Sequence, residues 1–335
     1  MTTISACIIT REVDDALRRA VDCIRPLVDE VVIAYNSTAP STEKLDNTKI
    51  IHSTACNAIK SCKGPCGCKY GDIIDFSVLR NTAHRAATGE WMTWLDTDDT
   101  VEYSDVDLLR KLAARGTPVT ARYDYQANDK GEVVTRFDVL RLAPREFSHW
   151  YLPIHELLNC PGPYAKTEEI VWKHHKTDYQ ASHARNYRIC RHWQEDPRYA
   201  GDARFLFFAA QSYEAAGNPH EALPLYRRSF VHTAWVDQKY LCAKAVCDLL
   251  IKRQRPIEAV TWAYNALEVQ PNWRAAYHLL GRAYLEVYKR TGDEAYRLAS
   301  ARNFETGFGI APSYSMLPVG EPGAEMLYLE ALGRP

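Results

Sequence analysis

Near Asp196-Pro197 the hydrophobic period of the chain changes, and no other feature limits its fold so strongly. Before that point, short apolar runs rich in β-branched residues alternate with amphipathic stretches of helical spacing. After it the strand signals stop, and alanines and aromatics recur at helical spacing. Two domains are therefore expected, residues 1–195 and 196–335. A chain of 335 residues fits that division at about 150 residues per domain.

In the first domain the runs at 4–10, 31–34, 49–52 and 91–95 read as strands. Asp14 or Asp15 can cap a helix whose apolar face is Leu17, Ala20, Val21 and Ile24. Asp75 can cap another, with Phe76, Leu79, Ala83 and Ala86 on its face and Gly89 at its end. This alternation predicts an α/β, Rossmann-like domain with a mostly parallel sheet between helices. Residues 118–141 read as longer, more polar strands around an Asn128-Asp129-Lys130-Gly131 turn.

In the second domain, Ala210, Tyr213, Gly217, Ala222 and Tyr226 mark one helix–turn–helix unit. Cys247, Ala259, Ala263, Ala266 and Pro271 mark a second, and Gly281 and Tyr284 open a third. Cys247 and Gly281 stand 34 residues apart, the period of tetratricopeptide repeats. Small residues recur where paired helices must approach, and aromatics fill the holes between them. An all-α, tetratricopeptide-like stack is expected; a generic helical bundle is the alternative.

Composition narrows the functions. Lys+Arg 41 against Asp+Glu 42 leaves a net charge of −1, which excludes a chain basic throughout but not a local basic patch. No apolar run reaches the roughly 18 residues of a membrane span. Residues 1–7 lack the marks of a signal peptide, so a cytoplasmic, reducing setting is expected. Of ten cysteines, Cys7, Cys23, Cys160, Cys190, Cys242 and Cys247 then read as small buried hydrophobes. The other four, Cys56, Cys62, Cys66 and Cys68, crowd into one loop with Gly64, Pro65 and Gly67. Four thiolates so placed can close around a structural Zn²⁺; free thiols or a redox pair are the alternatives.

The clearest chemical signal is Trp94-Leu95-Asp96-Thr97-Asp98-Asp99. Acidic residues at the carboxyl end of a buried strand sit where open α/β sheets bind ligands. Alternation along an extended chain puts Asp96 and Asp98 on the same side. Two hard oxygen donors suit Mg²⁺ or Mn²⁺, and through it a diphosphate. A solvated acidic turn is the plainer reading.

The run Asp75-Phe76-Ser77-Val78-Leu79-Arg80-Asn81, then Ala87-Thr88-Gly89-Glu90-Trp91, then Leu95-Asp96-Thr97-Asp98, resembles family 2 glycosyltransferases of the GT-A fold. Cys7-Ile8-Ile9-Thr10-Arg11, the stretch 26–32, Ile154-His155-Glu156-Leu157 and Val171-Trp172-Lys173-His174-His175 are similar to further segments of that family, in the same order. Members with a tetratricopeptide tail are a known arrangement. The resemblance implies that Asp98 binds the metal bridging a sugar nucleotide's diphosphate, with His174 a further ligand. It implies that Asp96 contacts ribose or metal, and that Asp75 and Arg80 flank the base and phosphates. Thr10 and Arg11 would line the nucleotide pocket. Glu156 would be the general base, and one base with one metal implies inversion at the anomeric carbon.

The chain departs from the family at Ala34-Tyr35-Asn36, where an acidic residue is usual, and at Arg11-Glu12, where Asn-Glu is usual. A UDP-sugar is the family's commonest donor. The acceptor, a hydroxyl or a thiol, would belong to a glycan, a peptide or protein, or a hydroxymethylated nucleic-acid base. The last draws on Lys60, Lys63 and Lys69 in the cysteine loop and on the basic, aromatic run 185–193, which also reads as a solvated helix face. The repeats would bind the acceptor or mediate dimerisation. A rival of another class is a peptide-binding repeat scaffold whose transferase domain has decayed.

Overall fold

The computed structural model describes residues 2–36, 45–46, 48–55, 57, 68–128, 130–175, 180–311 and 323–333. The chain divides into two compact units, Met1–Trp193 and Gln194–Pro335. Cys56, Cys62 and Cys66, with Lys60 and Lys63, lie outside the described residues.

The first unit contains β1 (Ile4–Thr10), α1 (Asp15–Ile24), β2 (Glu30–Tyr35), β3 (Thr48–His52), α2 (Phe76–Ala86), β4 (Trp91–Leu95) and β5 (Asp99–Tyr103). It continues with α3 (Leu108–Ala113), β6 (Val119–Ala127), β7 (Val133–Pro144), β8 (His149–Tyr151), β9 (Leu157–Asn159), β10 (Ala165–His174) and α4 (Gln180–Trp193). Eight strands form one sheet in the order β3-β2-β1-β4-β7-β6-β10-β5, and β8 pairs with β9 separately.

Strands β3, β2, β1 and β4 are parallel. Beyond them β7 runs antiparallel to β4 and to β6, β10 is parallel to β6, and β5 is antiparallel to β10. The sheet is thus mixed, where the apolar pattern suggested a mostly parallel one. An apolar run marks a buried strand but not its direction. The antiparallel β6–β7 pair is set by its hairpin, where Gly131 takes a positive φ and the Asn128 side chain accepts from the Lys130 and Glu132 N–H groups.

Period-two alternation sends the faces of β1 to different layers. Ile4, Ala6 and Ile8 pack with Leu17, Ala20, Val21 and Ile24 of α1, while Cys7 packs with Leu79 and Ala83 of α2. Each large side chain buried this way contributes about 1.5–3 kcal/mol. Asp14 caps α1 through the Leu17 N–H, and Asp75 caps α2 through the Val78 N–H. Gly89 does not end α2, which stops at Ala86 with Ala87 extended. Gly89 instead allows a close crossing: a Cβ there would stand 2.7 Å from the Ser5 backbone N.

The second unit is a stack of helices in adjacent pairs: α5 (Ala203–Ala215), α6 (Pro219–His232), α7 (Val236–Lys252), α8 (Pro256–Val269), α9 (Arg274–Thr291), α10 (Glu294–Phe308) and α11 (Ala324–Ala331). Pro219 and Pro256 open α6 and α8, where a missing N–H costs nothing. The small residues lie at the crossings: Gly281 meets the Phe304 ring, and Gly307 meets the His278 ring. No helix among the described residues is long and apolar enough to cross a membrane.

Candidate functional site

The edge of interest is the carboxyl end of β1 and β4, which lie side by side with Ile8 opposite Leu95. The chain leaves β4 through Asp96 and turns at once into β5. The turn is closed by the Asp99 N–H donating to the Asp96 carbonyl at 3.0 Å and by the Asp96 N–H donating to Asp99 Oδ2 at 3.2 Å. Because the chain turns, the expected extended alternation fails. Asp96 meets Arg80 and Asp98 lies beside His174, with the Asp96 charge still felt at Asp98.

Asp99 is the buried centre of the site, 1% exposed. Its Oδ1 accepts from Tyr123 of β6 at 2.8 Å and hydrogen-bonds His174 Nδ1 of β10 at 3.1 Å; its Oδ2 faces Arg141 of β7 at 3.5 Å. Register explains part of this, since His174 stands directly opposite Asp99. Arg141 lies over the Trp94 ring at 3.8 Å and donates to the Trp94 carbonyl at 3.0 Å. Burial alone would raise the Asp99 pKa, but the His174 hydrogen bond, the Arg141 charge and the Tyr123 hydroxyl outweigh it and hold the carboxyl below its ordinary range. Asp98 moves the other way: burial and the charge of Asp96 raise it, against His174. Tyr123 is pushed far up by burial beside Asp99 and stays a neutral donor.

Ligand atoms of Asp98, Asp99 and His174 all lie within 4.8 Å of one another. Two carboxylates and an imidazole suit Mn²⁺, and less ideally Mg²⁺. His174 adds a second sign. With Nδ1 engaged, its buried Nε2 has no hydrogen-bond partner among the described residues. Tyr125 stacks on the ring at 4.9 Å and fixes its plane. His175 is exposed and bonds Thr100, so alternation turned the inner histidine to the site as expected.

Beside this cluster, Arg80 of α2 links two carboxylates. Its Nη2 donates to Asp96 Oδ1 at 2.7 Å and its Nε to Glu156 Oε1 at 2.6 Å. The guanidinium is wedged between Trp94 at 4.9 Å and Trp150 at 4.7 Å. Glu156 precedes β9 and follows a loop with left-handed Leu152 and His155, φ 71° and 48°. Non-glycine residues adopt such values at a cost, and the packing holds them. Asn81 grips β8 by both its amide groups to the Trp150 backbone, and the Phe76 N–H donates to the Pro153 carbonyl.

The other sequence candidates fall as follows. The Thr10 hydroxyl donates to the Glu12 carbonyl at 2.7 Å, closing a local turn, and Arg11 is exposed at the end of β1. The Asp75 carboxylate caps α2 and accepts from the Ser77 hydroxyl at 2.7 Å. Cys68 is buried, its thiol 3.6 Å from the Arg188 carbonyl. Cys23 is half-buried rather than buried. Asp99, Tyr123 and Arg141 were missed as site residues. The one available signal for Asp99 was its phase: it shares a strand face with Val101 and is as buried.

No protein-family model matches the chain, and no curated protein sequence matches it.

Proposed function

We propose that the chain is a metal-dependent, inverting glycosyltransferase with a GT-A catalytic unit and a tetratricopeptide-like helical unit, moving a hexose from a UDP-sugar to a hydroxyl or thiol. The observation that carries the reading is the convergence of Asp98, Asp99 and His174 at the sheet edge next to a tethered carboxylate, Glu156.

Asp98, half-exposed, and His174 would hold Mn²⁺ or Mg²⁺, with Asp99 fixing the histidine ring as a carboxylate partner does in metal sites. The ion would supply positive charge to the departing diphosphate. Glu156 would take the acceptor's proton as the new glycosidic bond forms, and Arg80 sets the position of that carboxylate. Asp96, held by the other arm of Arg80, keeps the turn after β4 in register with the base.

The test is release of UDP from UDP-hexoses with Mn²⁺. Wild type is expected to turn over, and Asp98→Ala to lose the metal-dependent rate. Failure of the folded protein to bind or cleave any nucleotide sugar overturns the reading and favours the scaffold.

A further inference from the structure

Strand β7 is covered unequally on its two sides. β6 pairs with it from Val133 to Leu142, whereas on the other side β4 reaches only Leu142, Ala143 and Pro144. Next along, the Leu140 carbonyl accepts the Trp94 indole N–H at 2.8 Å. Toward the hairpin, the β6–β7 register shifts between Asp124 and Gln126 and again before Ala127, so the regular ladder ends at Thr135. Between these limits lies Thr135–Val139, with no strand among the described residues on the side away from β6.

A free edge presents N–H and C=O groups at ladder spacing, and another extended chain is what satisfies such a row. The sequence here is Thr135-Arg136-Phe137-Asp138-Val139, with neither lysine nor proline to guard it. Alternation puts Thr135, Phe137 and Val139 on one face and Arg136 and Asp138 on the other. The two charges have opposite sign and flank Phe137, which is the middle of the free stretch.

That arrangement is self-complementary. In an antiparallel pair about a two-fold axis at Phe137, Arg136 stands opposite the partner's Asp138, and Asp138 opposite the partner's Arg136. Each phenylalanine meets its own counterpart, and Thr135 meets the partner's Val139. An axis at Arg136 or at Asp138 would instead set like charges face to face, which is unfavourable. Within its own chain Arg136 bonds Asp124 at 2.6 Å and Asp138 bonds Lys166 at 2.9 Å, yet side-chain exposures of 45% and 38% leave both open to a second partner. Phe137 is braced from behind by Tyr123 and Tyr125, at ring separations of 5.5 Å.

We propose that the Thr135–Val139 edge of β7 is a self-association surface, which pairs antiparallel with the same segment of a second copy of this chain. The contact is isologous, so the assembly closes as a dimer. So short a pairing makes a weak, reversible one. The inference does not depend on the glycosyltransferase reading.

The experiment is sedimentation velocity of the full chain at rising concentration. Wild type is expected to pass from monomer to dimer. Arg136→Asp and Asp138→Arg each place two like-charged pairs across the axis, and each is expected to weaken the dimer by about tenfold or more. An equimolar mixture of the two variants makes both pairs opposite again and is expected to recover dimer. A wild type that stays monomeric overturns the inference, whether or not an added peptide binds along the strand. A dimer that survives both variants overturns it as well, as does a mixture no more associated than its components. Should either variant fail to fold, hydrogen exchange of the wild type decides. Amides within Thr135–Val139 are expected to slow as concentration rises, and exchange that ignores concentration overturns the inference.

Discussion

Arg80 Nε donates to Glu156 Oε1 at 2.6 Å, across 76 positions of sequence. Both side chains are nearly buried, at 9% and 11% exposure. Truncating the arginine leaves Glu156 and Asp96 without a counter-charge and removes the cation between Trp94 and Trp150. Removing one partner of a buried pair costs about 3–5 kcal/mol. Arg80→Ala is therefore expected to shift chemical unfolding of the first unit by that order, followed by tryptophan fluorescence. The double variant Arg80→Met/Glu156→Gln should recover part of the loss. A shift below about 1 kcal/mol would mean that the clamp contributes no more than a surface pair.

The two neighbouring aspartates should separate cleanly. Asp99→Asn weakens the buried contacts to Arg141, Tyr123 and His174, so a stability loss of about 3 kcal/mol is expected. Asp98→Asn, at a side-chain exposure of 38%, should leave the melting temperature almost unchanged and weaken Mn²⁺ binding by about tenfold or more. Calorimetry and titration of Mn²⁺ by electron paramagnetic resonance check the two halves. Equal metal affinity in wild type and Asp98→Asn would remove Asp98 from the ion's shell.

Gly89→Ala should be costly for a steric reason. The added Cβ would lie 2.7 Å from the Ser5 N and 2.9 Å from the Ile4 C, both backbone atoms that cannot move aside cheaply. A loss of about 2–3 kcal/mol is expected, from overpacking between β1 and the turn before β4. Gly116→Ala, with open space but φ +74°, should cost nearer 1 kcal/mol. Urea unfolding of both variants decides the order.

His278 of α9 gives the second unit a pH dependence. It is 3% exposed between Phe304 and Phe308, and burial pushes its pKa from 6.5 down to about 4. Between those values the unfolded chain binds a proton that the native chain refuses. The stability is therefore complete above pH 6.5 and falls as pH drops toward 4, by on the order of 3 kcal/mol. Hydrogen exchange of α9 and α10 across that range should show the slope, and His278→Leu should abolish it. A slope that survives the substitution assigns the effect to another group.

Much of this was legible in the residues. β1 to β4, the caps Asp14 and Asp75, and the helix pairs follow from period and capping chemistry, which are local. Strand direction was not legible, because β7 enters beside β4 through a hairpin whose place in the sheet is set by long-range pairing. The acidic turn was visible, and the family resemblance paired Asp98 with His174. Strand alternation alone put Asp96 and Asp98 on one side, and the arrival of Arg80 at Asp96 was not legible because it is a tertiary contact. Asp99 escaped because its partners lie 24, 42 and 75 positions away.

Those separations have a consequence for how the protein acquires its chemistry. Tyr123, Arg141 and His174 reach Asp99 from three strands that pair late in sequence, so no fragment short of β10 assembles the cluster. An ion that prefers this geometry would be captured only by the finished sheet, and its capture would deepen the native well without guiding the chain toward it.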